Sequence, residues 1–119
     1  VPRNGFGPYL TGDPTTINIW SAIGDIATSN EVSFSNNTWF HLAICRKNGT
    51  TRIFLDGSEI YSGSLGFTFD SSIDTITVGD SAGQKYYTGD PDSRYFSNMR
   101  INVGYAYYDA NFTPPAAPF

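Results

Sequence analysis

Tyr86, Tyr87, Asp90, Asp92 and Arg94 crowd into and just past one polar stretch of the chain, residues 81–93. Aromatic rings stack on the faces of sugar rings, and carboxylates and a guanidinium hold hydroxyl groups. These five residues are therefore candidates for binding a glycan. Trp20 and Tyr9 are candidates for a second lip, with an apolar core as the competing place for Trp20. Tyr86 and Tyr87 have an alternative of equal weight, because tyrosine is also enriched where subunits meet. Asp80, Asp90 and Asp92 flank the same stretch, and converging loop carboxylates suit calcium. The competing reading is that Gly79-Asp80 and Asp90-Pro91-Asp92 are turn formers through Asx geometry.

Other chemistries fail on residue count or spacing. Cys45 is the single cysteine, so no internal disulfide forms, and it sits in the apolar run 40–45 as a small core hydrophobe. His41 is the single histidine. Four residues along a strand separate two side chains by roughly 13 Å, which excludes a Cys45–His41 dyad. His41 is expected to be structural. Retaining glycoside hydrolysis needs two carboxylates about 5 Å apart. The only glutamates are Glu31 and Glu59, and neither lies in a pattern that would supply such a pair.

The charge balance, 7 Lys+Arg against 11 Asp+Glu for a net −4, argues against nucleic acid and anionic membranes as partners. No run is long and apolar enough to insert in a membrane as a helix. Val1 to Gly5 do not form a signal peptide, and a start at Val is expected of a processed chain, an excised piece or an incomplete one. Asn36, Asn48 and Asn111 each head an Asn-x-Thr sequon, which carries glycan only in a eukaryotic secretory pathway and otherwise reads as turn chemistry.

The elements that must position these residues are short strands. Charged residues make up only 15% of a 119-residue chain rich in Gly, Ser, Thr, Asn and aromatics, which suits strands joined by tight turns within one domain. Residues 1–16 read as a loop-like lead-in with a short strand near Tyr9-Leu10. Residues 17–20 form a strand, with 23–27 as hairpin partner, and 31–34 form another. Residues 38–46 give the strongest strand signal, apolar on both faces as in the middle of a sandwich. Asn48-Gly49 and Asp56-Gly57 each favour positive φ and type I′ turns, making 38–62 a three-stranded meander. Residues 73–78 and 95–103 alternate as strands, with Met99, Ile101 and Val103 inward. Residues 105–108 form a short aromatic strand or turn, and 109–119 an extended proline-rich tail. That tail either packs back across the domain or meets a neighbouring subunit.

Several of these pieces resemble a known family. Asn37-Thr38-Trp39-Phe40-His41-Leu42-Ala43 resembles the "tW-x-H-x-A" strand of laminin-G-like domains in the concanavalin A-like lectin/glucanase superfamily. Residues 51–57 resemble its "lyvDG" hairpin, Ile76-Thr77-Val78-Gly79 its "l-x-iG" strand, and residues 96–101 its closing "isnvRi" strand. Gly104-Tyr105-Ala106-Tyr107-Tyr108, followed by Asn111-Phe112-Thr113-Pro114-Pro115, resembles a coda of phage and marine-virus members. The resemblance spans residues 17–119. It implies an all-β fold, an antiparallel β-sandwich of the concanavalin A-like jelly-roll type.

Two departures stand out. Arg94-Tyr95-Phe96 replaces the family's glycine before the closing strand, and strands that family members carry upstream of Ile17 are expected to be lacking. Those strands would lie on an upstream segment or another subunit. Hydrolytic members carry a Glu-x-Asp-x-Glu strand that this chain lacks. The resemblance therefore implies a non-catalytic virion structural or appendage protein: a tail fibre, spike or capsid decoration. It would be a homo-oligomer or bound to other virion proteins, would touch host-surface glycans, and would require no cofactor. The rival expectation is a secreted or cell-surface carbohydrate-binding adhesion module that depends on calcium.

Overall fold

A computed structural model describes residues 6–10, 15–21, 24–35, 37–65 and 96–116. The elements among them are β1 (Phe6–Leu10), β2 (Ile17–Ser21), β3 (Gly24–Thr28), β4 (Leu42–Lys47), β5 (Thr50–Leu55) and β6 (Ser58–Ser64). They form two three-stranded antiparallel sheets, β1-β2-β3 and β4-β5-β6. The described residues contain no helix.

The second sheet follows directly from its turns. Asn48 and Gly49 have φ of 50° and 79°, and Asp56 and Gly57 have 49° and 82°. Positive φ at both central residues matches the twist of the flanking strands, so each pair closes a two-residue hairpin. β5 consequently lies between β4 and β6, with Ile44 opposite Ile53 and Ile53 opposite Tyr61. One extra residue on β6, Ile60, makes a bulge between the pairs Ile53–Tyr61 and Phe54–Glu59.

The core lies between the sheets. Ile17 and Ile19 of β2, Ala27 of β3, Ile53 of β5 and Leu65 form its buried cluster, with Val32, Phe34, Ile44, Leu55, Ile60 and Tyr61 packed against it. Ile19 and Ile53 are fully buried. Sealing an isoleucine from water contributes about 1.5–3 kcal/mol. Polar groups at the rim are bonded as burial requires. The Ile17 amide donates to Ser29 Oγ at 2.9 Å, and the Thr16 hydroxyl donates to Asn18 Oδ1 at 2.8 Å. Between β3 and β4 the chain crosses from one sheet to the other: the Asn30 amide donates to the Ile60 carbonyl at 3.0 Å and the Val32 amide to the Thr15 carbonyl at 2.9 Å.

A third layer covers the outer face of the second sheet. Phe54 alternates with Ile53, so it points away from the core, yet it is fully buried. The rings of Phe112 and Tyr108 cover it at centroid distances of 5.4 Å and 6.5 Å. The tail holds its place by backbone bonds. The Phe112 amide donates to the Gly57 carbonyl at 3.0 Å, and the Glu59 amide donates to Asn111 Oδ1 at 2.9 Å. Of the two readings of the tail, packing back across the domain is the one the structure displays over residues 109–116.

Several expectations are corrected. The short strand expected near Tyr9-Leu10 in the lead-in 1–16 is present but longer: β1 begins at Phe6 and pairs with β2. One strand upstream of Ile17 is therefore present. Residues 31–34 form no strand, because they bridge the two sheets rather than join either ladder. The strand expected from Thr38 starts only at Leu42. Asn37 turns the chain at a φ of 56°, and ladder pairing ends at the reciprocal bonds between His41 and Asp56. β4 is not enclosed by two sheets: its inner face meets the core and its outer face meets the tail.

The clearest correction concerns 95–103. Over residues 96–103 no strand forms, and Met99, Ile101 and Val103, expected inward, are 63%, 54% and 91% exposed. Alternation shows that a segment suits a half-buried ladder, but a neighbour must supply the pairing. None does among the described residues. Residues 105–108 are bends rather than a strand. The strand expected at 73–78 lies outside the described residues.

Candidate functional site

The loop residues singled out for chemistry, Asp80, Tyr86, Tyr87, Asp90, Asp92 and Arg94, all lie outside the described residues. So does any fit to calcium at Asp80, Asp90 and Asp92. The backbones of Tyr9 and Trp20 lie on the paired strands β1 and β2. Among the described residues, no three His, Cys, Asp or Glu side chains are placed to hold a metal ion.

The described carboxylates are largely engaged in structure. Asp56 Oδ1 accepts a 2.7 Å bond from the His41 amide, while the Asp56 amide donates to the His41 carbonyl at 2.8 Å. This reciprocal pair locks the start of β4 to the β5–β6 hairpin, so Asp56 serves the turn and more. Glu59 pairs with Arg52 Nε at 3.1 Å on the outer face of the second sheet. Asp109 pairs with Lys47, whose hydrogen bond holds the Asp109 carboxyl below its usual range. Glu31 is exposed.

His41 and Cys45 belong to the same outer face. The His41 ring, one residue before β4, meets Phe112 edge-on at 5.5 Å and Tyr108 at 6.2 Å, a structural setting. Tyr108 and Phe112 stack face to face, with centroids 3.4 Å apart and planes 3° from parallel. Burial, reinforced by neighbouring Tyr107, raises the Tyr108 hydroxyl above its usual value. Cys45 is a free thiol, half-buried opposite Arg52.

The described surface has a concave place lined by aromatic rings. A notch of about 130 Å³ is lined by the hydroxyl-bearing Ser33, Ser35 and Thr38 together with Trp39, Phe40 and Asp56. Trp39 is 67% exposed and Phe40 42%. Phe34 backs Phe40 at a centroid distance of 4.7 Å. Sequence reasoning placed Trp39 and Phe40 within a buried strand and missed this notch. The signal that marked it was local: Asn36-Asn37 immediately precede Thr38, and asparagine tolerates the positive φ that ends a strand. A larger, more open polar depression of about 250 Å³ lies at Lys47, Asn48, Thr50, Arg52 and Asp109, where the cations already face carboxylates.

No curated protein and no solved structure matches the chain. A family model of the laminin G type, described as the concanavalin A-like lectin/glucanases superfamily, matches residues 3–101. That match starts upstream of the stretch that carried the resemblance, taking in β1, and ends before the coda. Two antiparallel sheets closing on one core, tight Asn-Gly and Asp-Gly hairpins, and a match over most of the chain agree: this chain belongs to the concanavalin A-like lectin/glucanases superfamily, as a laminin-G-like β-sandwich domain.

Proposed function

We propose that this domain binds carbohydrate without cleaving it, as the surface module of a virion appendage: a tail fibre, spike or capsid decoration that meets host-surface glycans. The observation that carries the reading is a lectin/glucanase-type domain whose sequence has only two glutamates, neither in a Glu-x-Asp-x-Glu strand. A hydrolase of this kind needs its acid and nucleophile on one face of a strand, about 5 Å apart. The virion setting rests on the coda, Gly104 to Tyr108 and Asn111 to Pro115. In that setting the domain works as an oligomer or on other virion proteins, and Tyr86, Tyr87, Asp90, Asp92 and Arg94 form its glycan contact.

One observation favours a second reading, a secreted or cell-surface adhesion module that uses calcium at Asp80, Asp90 and Asp92. Asn48 stands exposed at a hairpin tip in the sequon Asn48-Gly49-Thr50, well placed to carry a glycan in a secretory pathway.

An array of immobilised oligosaccharides, probed with and without a chelator, tests both. Binding that survives the chelator supports the first reading, and binding abolished by it supports the second. Silence across the array refutes carbohydrate binding, and release of new reducing ends refutes the non-catalytic assignment. Mass measurement in solution tests the assembly: a stable monomer counts against the virion platform.

A further inference from the structure

We infer that the notch at Trp39 is a docking site for a single neutral pyranose ring, separate from the 81–94 stretch. The inference rests on the carbohydrate-binding reading and gives it a place and a specificity.

The argument starts from exposure. The domain buries Ile17, Ile19 and Ile53 almost completely yet holds Trp39 67% open to water. A contiguous exposed apolar surface rimmed by polar groups is a candidate binding surface, and Trp39 and Phe40 together form one. Several other apolar residues are exposed along 96–107, whereas Trp39 and Phe40 line a concavity that hydroxyl-bearing residues also line. A sugar ring has that dual character: its C–H face stacks on an aromatic ring, and its edge carries hydroxyls that need partners. Trp39 with Phe40 supplies the stacking surface, and Ser33 and Ser35 supply hydroxyls that donate or accept.

Asp56 supplies a fixed acceptor. Its Oδ1 takes the His41 amide at 2.7 Å, which orients the carboxylate while using only one of its roughly four lone-pair positions. The size sets the ligand. At about 130 Å³ the notch lies well below the roughly 300 Å³ at which pockets enclose a drug-sized molecule, so one ring docks from one side.

Charge sets the class. Among the described residues, no lysine or arginine lines the notch. Lys47 pairs with Asp109 at the far end of β4, Arg52 pairs with Glu59 on the opposite face of the sheet, and Arg46 donates to the Leu65 carbonyl at 3.2 Å. The charge carried by the described lining is the Asp56 carboxylate, which repels sialylated, uronic or sulfated sugars. A neutral hexose or N-acetylhexosamine is the ligand that fits.

The test compares the intact 119-residue chain with Trp39→Ala, Trp39→Phe, Asp56→Asn and Tyr86→Ala on oligosaccharides ending in glucose, galactose, mannose or N-acetylglucosamine, and on sialylated and heparin-type probes. The expected result is binding to a neutral terminus that falls at least tenfold in Trp39→Ala and largely returns in Trp39→Phe. Asp56→Asn, whose new side chain tolerates the same positive φ, weakens binding several-fold. Thermal melting shows whether each variant remains folded. Neutral binding untouched by Trp39→Ala but lost in Tyr86→Ala overturns the notch and leaves carbohydrate binding standing. A preference for the acidic probes overturns the charge argument and with it the site. Silence of the unmodified chain on every probe overturns both the notch and the function on which it rests.

Discussion

Residues 42–64 and residues 96–103 carry the same kind of period-2 apolar pattern and end in opposite places. In the first, Ile44, Ile53 and Tyr61 face one core while Phe54 seals the other side of the same sheet. In the second, Met99, Ile101 and Val103 stand in solvent. The difference is in the joints. Asn48-Gly49 and Asp56-Gly57 bring the strands of the meander together across two residues, so pairing is local and loop closure is cheap. Among the described residues the later segment has no such joint, and its ladder would depend on a distant partner. Phe112 makes the same point: it is anchored because Gly57 lets the tail backbone come close, not because of any pattern in the tail.

The largest expected effect falls on the meander's outer face. Phe54→Ala should destabilise the fold by about 4 kcal/mol, because it empties a fully buried ring site beneath Tyr108 and Phe112. Denaturant unfolding measures this. A loss near 1 kcal/mol would mean that the tail is only loosely laid on the sheet.

Two glycines of the same turn type sharpen the comparison. A Cβ at Gly57 would sit 1.9 Å from the Phe112 carbonyl oxygen, whereas one at Gly49 would meet nothing within 4 Å. Gly49→Ala should then lower stability by about 1 kcal/mol, from positive φ alone. Gly57→Ala should lower it by about 3 kcal/mol, because it adds displacement of the tail. Equal losses would break the proposal that the tail closes on Gly57.

Thr51 tests the inner face. Its side chain is 1% exposed, and among the described residues its hydroxyl has no hydrogen-bond partner. Thr51→Val keeps the shape and removes the unsatisfied group, so it should raise stability by about 1 kcal/mol. A loss in the same unfolding experiment would show that the hydroxyl is bonded in solution.

The smallest effect is expected where alternation misleads. Ile101→Ser and Val103→Ser should each change stability by less than about 0.5 kcal/mol. A drop above about 1.5 kcal/mol, or loss of a solution oligomer, would mean that another chain covers this face.

Most of the fold and little of the candidate site was legible in the sequence. The hairpins were legible because an Asn-Gly or Asp-Gly pair selects its own backbone geometry without help from the rest of the chain. β2 and β3 were legible because the chain returns on itself within a few residues. Trp39 was misread for a reason of the opposite kind. Its apolar neighbours 40–45 suit a buried strand, but burial depends on what lies above the residue. Asn37 and the Asp56–His41 pair stop the ladder just before that point.

The sequence alone settles the all-β class, the meander and the laminin-G-like family, since these rest on turn chemistry and on motifs read in order. It also leaves the chain without a hydrolase's strand of acids, a matter of residue types. Only the tertiary structure decided which apolar faces are covered. It buried Phe54 under the tail, left Val103 in water, and opened Trp39 onto a rim of hydroxyls. Side-chain pattern is a property of the chain, whereas burial is a property of pairs of surfaces, and which surfaces meet is settled by long-range packing.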